Sequence, residues 1–152
     1  EAELVIKMGQ DYEPNLSLDE MVSEMTVGLD LTLRDIQTEL KEKQQPWDLA
    51  KAFKHAAILG DFIPFPGLAT CKEKQFELTI NDEQVQVGQI NKMIFPLHDI
   101  IHFVGEHLGL KKDDIIFTGT PEGVGALQDG DHLSLIWDEE RLGNINIGQI
   151  VK

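Results

Sequence analysis

The shortness of its apolar runs constrains this chain most. Residues 1–8 (EAELVIKM), 26–31 (TVGLDL), 76–80, 85–88, 114–117, 133–137 and 145–151 are each of strand length, and several end at Gly, Asn or Asp. Runs that short bury an apolar face when they pair side by side, so a sheet-based core is expected. Two stretches instead follow the helical repeat. Thr32 to Lys43 carries Leu33, Ile36 and Leu40 at spacings of three and four, and Pro96 opens a stripe of Leu97, Ile100, Ile101, Val104 and Leu108 that stops at Gly109. Ser17-Leu18-Asp19-Glu20 is a capping-box pattern for a short helix to about Met25, and Pro46 starts a helical turn through WDLAKAF. Gly60, Pro64, Pro66 and Gly67 mark a loop, Asn81-Asp82 a hairpin turn, and Asp129-Gly130 another turn. The predicted class is a β-rich α+β fold, with strands from both ends of the chain and a few short peripheral helices. At 152 residues the chain is long enough for one globular core, and residues 1–152 are read as one domain.

The charge narrows the function. With 27 acidic against 13 basic residues the formal charge is -14, which opposes attraction to nucleic acid phosphates. The same field repels anionic substrates, so a site for an organic acid needs local reversal by a cation or by Lys and Arg. The single cysteine, Cys71, has no partner for an internal disulfide, and no base stands near it in sequence, so it reads as an inert thiol. No leader pattern and no apolar run of about 18 residues is present, which points to a cytoplasmic protein without a membrane partner.

Three acids stand out. Glu1 and Glu3 share one face of the first strand because strand side chains alternate, and Asp30 interrupts an apolar run where an unpaired carboxylate is unfavourable. Together they offer oxygen ligands suited to Mg²⁺, Mn²⁺ or Ca²⁺. On spacing alone, a solvated strand face and an Asp bonded to nearby amides fit as well. Arg34 and Gln37 sit three apart on the following helix, where an Arg fork suits a carboxylate and pairing with Asp35 or Glu39 is the alternative. Lys51 lies among Trp47, Leu49, Ala50 and Phe53, where partial burial lowers a lysine pKa and favours proton transfer; snorkelling to solvent is the alternative.

The loop Thr118-Gly119-Thr120-Pro121-Glu122-Gly123-Val124-Gly125 follows a strand and offers backbone amides and the Thr120 hydroxyl to an anion. It lacks the Gly-Lys-Ser/Thr ending of a nucleotide-binding loop. His98 and His102 have metal-ligand spacing on a helix, but no third ligand is evident, and a solvated helix face is the preferred reading.

Taken in order, these segments resemble the fumarylacetoacetate hydrolase family over nearly the whole chain. EAEL is similar to its Glu-x-Glu metal strand, GLDLTLRDIQ to its Asp strand running into Arg-Asp-x-Gln, PWDLAKAF to its lysine turn, and MIFPLHDIIHFV with IIFTGTPEGVG to its signature region. The resemblance implies a mixed β-sandwich roll of the family's C-terminal catalytic type. It implies Glu1, Glu3 and Asp30 as metal ligands, Lys51 as the catalytic lysine, and Arg34, Gln37 and Thr120 as substrate contacts. Mg²⁺ or Mn²⁺ is implied ahead of Ca²⁺, with a small 2-oxo acid as substrate and a homodimer as the assembly. The implied activity is hydrolysis of a carbon–carbon bond in acylpyruvates or related diketo acids, with oxaloacetate decarboxylation beside it. Isomerase or hydratase chemistry on 2-oxo dienoates, or a non-catalytic metal-binding fragment, are the alternatives. Family hydrolases carry a water-activating His and Glu on an N-terminal lid. No such segment precedes Glu1, so a catalytic domain without its lid is expected.

Overall fold

The computed structural model describes residues 1–148. The expected α+β class is borne out, with two antiparallel sheets packed face to face and short helices around them. The first sheet contains β1 (Ala2–Met8), β2 (Val22–Asp30), β3 (Ala57–Leu59), β4 (Ile63–Pro64) and, after the middle of the chain, Ile115–Phe117. The second contains β5 (Phe76–Ile80), β6 (Glu83–Gly88), His132–Trp137 and Glu140–Asn146. With the late strands numbered β7, β8 and β9 in chain order, the sheets run β3-β2-β1-β7, β4 also pairing with β2, and β6-β5-β8-β9.

The central strand is β1, which joins both halves of the chain by pairing β2 on one side and β7 on the other. Ala2, Leu4, Val5, Ile6 and Met8 are all fully buried. Leu4, Ile6, Val27, Leu29, Leu78, Leu133 and Leu135 form the contact between the sheets. Burying a Leu or Ile is worth roughly 1.5–3 kcal/mol, so this layer fixes the position of β1 firmly.

The helices are α1 (Leu18–Met21), α2 (Arg34–Glu42), α3 (Asp48–Lys51), α4 (Leu68–Glu73) and α5 (Leu97–His107). The capping box forms: the Glu20 carboxylate accepts the Ser17 amide at 2.9 Å and its hydroxyl at 2.7 Å. The helix ends at Met21 rather than near Met25, because residues from Val22 onward pair with β1. Long-range pairing overrides the local helix signal there. Pro96 caps α5 instead of opening it, and Leu108 at its end is exposed.

Two further differences have local causes. The stretch around Gly60 to Gly67, read as loop, contains β3 and β4, which attach to β2 by backbone pairing with little apolar burial; α4 follows them. The strand expected at 145–151 is displaced: β9 begins at Glu140, directly after the two-residue turn Asp138-Glu139, where Asp138 takes a positive φ of 56°. Charged residues at this sheet edge hid the strand. Residues 149–151 of the expected strand lie outside the described residues.

Candidate metal centre

Register places the acids. Ala2 faces Leu29, Glu3 faces Gly28, and the Asp30 amide donates to the Glu1 carbonyl at 2.8 Å. Glu1 and Glu3 on β1 therefore share a face with Gly28 and Asp30 on β2. A Cβ on Gly28 would meet Val5, the Ile58 carbonyl and the Phe117 ring within 2.8–2.9 Å, so only glycine fits beside Glu3. The carboxylates of Glu1, Glu3 and Asp30 each bring an oxygen within 4.8 Å of the others, and no other such cluster of three occurs among the described residues.

The signature loop encloses Glu3 from the other side. The Thr118 hydroxyl donates to the Leu4 carbonyl and the Thr120 hydroxyl to the Ala2 carbonyl, both at 2.8 Å. Between them the Gly119 amide donates to Glu3 Oε2 at 2.7 Å. Glu3 is 5% exposed. Burial raises its pKa against the opposing Gly119 bond, and the negative charges of Asp30 and Glu1 raise it further.

Two cations close the cluster. Lys51, at the end of α3, donates from Nζ to Glu1 Oε2, Asp30 Oδ2 and Thr32 Oγ1 at 2.6, 2.6 and 2.7 Å, which engages all three ammonium hydrogens. Arg34, from the start of α2, reaches Glu1 Oε1 at 2.6 Å and Gln37 Oε1 at 2.8 Å. Burial alone would raise the Glu1 pKa, but the Lys51 and Arg34 bonds prevail and hold it at about 2. The lowered pKa expected for Lys51 is corrected: burial does push it down, yet the bonds to Asp30 and Glu1 outweigh burial and raise it. Lys51 is therefore held in its charged form.

Gln37 is the one buried residue of α2, at 4% exposure, while the expected apolar stripe of Leu33, Ile36 and Leu40 is only half-buried. The helix thus presents a polar side chain to the site. All seven residues singled out in the sequence border this one region, six of them linked directly through side-chain bonds or the carboxylate cluster, and Thr120 through the Ala2 carbonyl. Thr32, Thr118, Gly28 and Gln86 also shape it and were missed. Of these, Gly28, Thr32 and Thr118 lay inside quoted motifs without a role assigned to them, and Gln86 lay in none. Beyond the loop opens a cavity of about 490 Å³ lined by Thr118, Gly119, Thr120, Lys92, Met93 and Phe95, among others.

The other candidates stay apart. His98 and His102 rings lie 4.0 Å apart and Tyr12 Oη is 2.8 Å from His102 Nδ1, with no third ligand among the described residues. Cys71 is fully buried, and burial pushes its thiol up to about 12.

The fumarylacetoacetate (FAA) hydrolase C-terminal family model matches residues 1–150. The chain is 41% identical over 119 residues to oxaloacetate tautomerase YcgM of Escherichia coli (strain K12), covering 76% of this chain and 53% of that protein. To the mitochondrial oxaloacetate tautomerase FAHD1 of Rattus norvegicus it is 35% identical over 135 residues, covering 88% and 61%. It therefore spans between half and two thirds of these relatives. The crystal structure of fumarylpyruvate hydrolase from Pseudomonas aeruginosa in complex with Mn²⁺ and pyruvate superposes with a TM-score of 0.86 at 28% identity, covering 99% of this chain and 65% of that one. With the family model matched over residues 1–150, and the acid cluster, lysine turn and signature loop meeting in one place, the chain belongs to the fumarylacetoacetate hydrolase family.

Proposed function

We propose that Glu1, Glu3 and Asp30 hold one divalent cation, Mg²⁺ or Mn²⁺, and that the site breaks the carbon–carbon bond of acylpyruvates or related diketo acids by way of an enolate. The convergence of three carboxylates within 4.8 Å, with Lys51 against two of them, carries this reading. An all-oxygen donor set with surplus negative charge suits a hard cation, and Lys51 fills the cluster as a counter-charge. Bound there, such a cation would supply Lewis acidity towards a chelating 2-oxo acid. The complex of a related protein with Mn²⁺ and pyruvate supports the same pairing of ligand and ion.

The chain's own residues would do the rest. Together with a bound divalent cation, Arg34 and Lys51 would outweigh the three carboxylates and reverse the repulsion of the -14 chain where an anionic substrate arrives. The Arg34 fork, held by Gln37, orients a substrate carboxylate. Water adds to the distal carbonyl so that the acyl group leaves as a carboxylic acid, and Lys51, kept protonated, delivers a proton to the enolate carbon of the pyruvate fragment and regains one from the water consumed. Thr120 lines the cavity that opens beyond the signature loop.

A second reading is keto–enol tautomerisation of oxaloacetate. It is favoured by the names of the relatives and by Lys51, a proton carrier in contact with the cluster. That reaction moves a proton between C3 and the enol oxygen without adding water. Residues 1–152 are proposed as a single catalytic domain, working in the cytoplasm as a homodimer. The exposed Ile94 and Phe95, at 91% and 67%, support a contact surface beside the cavity. No helix among the described residues is long and apolar enough to cross a membrane.

The test is to supply Mn²⁺ or Mg²⁺ and follow acylpyruvate cleavage and oxaloacetate enol–keto exchange separately. Metal-dependent cleavage supports the first reading, and exchange without cleavage selects the second. Cation binding with neither reaction would make this a binding module.

A further inference from the structure

Gln86 is a primary amide at 3% exposure on β6, in the sheet opposite the metal ligands. It departs from the expected pattern of its strand, since Val87 is exposed and Val85 only half-buried while Gln86 and Gly88 are buried. A buried amide needs partners for one acceptor and two donor hydrogens. Gln86 has all of them: the Ala2 amide donates to Oε1 at 3.0 Å, and Nε2 donates to Thr120 Oγ1 at 3.0 Å and to the Pro121 carbonyl at 3.1 Å. The opposite amide orientation would set donor against donor at Ala2 and oxygen against oxygen at Pro121, so the network itself assigns the atoms.

The bonds form a closed circuit. From the Ala2 amide it runs through Gln86 to the Thr120 hydroxyl, which returns its only proton to the Ala2 carbonyl at 2.8 Å. Ala2 lies between Glu1 and Glu3. Next to this clamp, Gly123 adopts φ +95°, and a Cβ there would run into the Val85 carbonyl, so the loop lies directly on β6.

We propose that Gln86 is a positioning residue that locks the carboxylate strand and the signature loop into one unit, and commits the Thr120 hydroxyl to the protein instead of to substrate. Donation from Thr120 to a substrate carboxylate would require breaking its bond to Ala2. The Thr120 amide has no protein acceptor among the described residues and is an available donor of the loop beside Gly119. The consequence for ligand binding rests on the function proposed above; the clamp does not.

The experiment compares the parent chain with Gln86→Met, which keeps size and removes all three bonds. Gln86→Glu serves if the first variant fails to fold, because it keeps the Ala2 acceptor and loses both donors. Peptide-resolved hydrogen exchange is measured without ligand, and Mn²⁺ and oxalate binding by calorimetry. The expected result is exchange about tenfold faster across residues 118–125 with residues 133–137 unchanged, and Mn²⁺ bound about tenfold more weakly by a chain with parental far-UV dichroism. Exchange and Mn²⁺ affinity both within about twofold of the parent would overturn the proposal. A parent chain that binds no Mn²⁺ would instead defeat the proposed function, and exchange alone would then decide the clamp.

Discussion

Lys51 Nζ lies 2.6 Å from Asp30 Oδ2, and a second bond of the same length takes it to Glu1. The lysine occupies the neighbourhood in which a divalent cation would be held. A cation held by these carboxylates as proposed would compete with the lysine electrostatically, each compensating for loss of the other.

Lys51→Ala is expected to leave Asp30 without its counter-charge and Glu1 paired with Arg34 alone. Without metal the variant should lose about 1–3 kcal/mol of stability. Mg²⁺ or Mn²⁺ should raise its melting temperature by more than it raises the parent's. Turnover should fall about 10²-fold or more while metal affinity is kept or improved. Parallel thermal melts and steady-state assays check this, and equal melting shifts in both proteins would contradict the competition.

Cys71 should resist alkylation in the folded protein at neutral pH, because burial keeps its thiol up at about 12. Mass spectrometry after iodoacetamide should show the adduct only when denaturant is present. Rapid labelling of the native chain would contradict the burial.

Asp131 fastens the turn before β8: it accepts the Gln128 amide at 2.7 Å and the Asn81 side chain at 2.9 Å. These bonds hold its pKa below the ordinary 3.8. A carboxyl lowered on folding adds stability that is fully present above its unfolded value and lost as the pH falls through the lower folded value. Asp131→Asn should therefore lower the melting temperature by a few degrees near neutral pH, with the gap to the parent closing below about 3.8. A gap independent of pH would contradict the assignment.

The site was more legible in the sequence than its surroundings. Strand alternation and a break in an apolar run drew attention to Glu1, Glu3 and Asp30, but only the family resemblance separated them from a solvated face, and the pairing of β1 with β2 brings them into one cluster. Lys51 was recognisable as a candidate, yet its raised pKa was not, since the carboxylates responsible lie 50 and 21 residues away. Gln86 and Thr32 were invisible for the same reason: a polar residue on a strand or in a turn reads as solvated until its distant partners are known. Strands β3 and β9 escaped because edge strands rely on backbone pairing and bury little. Helix α1 was overextended because its capping box signals where a helix starts and says nothing of the strand partner that stops it.

The most direct test of the carboxylate site is calorimetric titration of oxalate, a mimic of the 2-oxo acid enolate, into the chain with and without Mg²⁺, with Asp30→Ala as the control. Oxalate binding that requires Mg²⁺ and is abolished in Asp30→Ala is the expected result. Oxalate binding that is indifferent to Mg²⁺, or that survives unchanged in Asp30→Ala, would contradict a metal centre built from Glu1, Glu3 and Asp30.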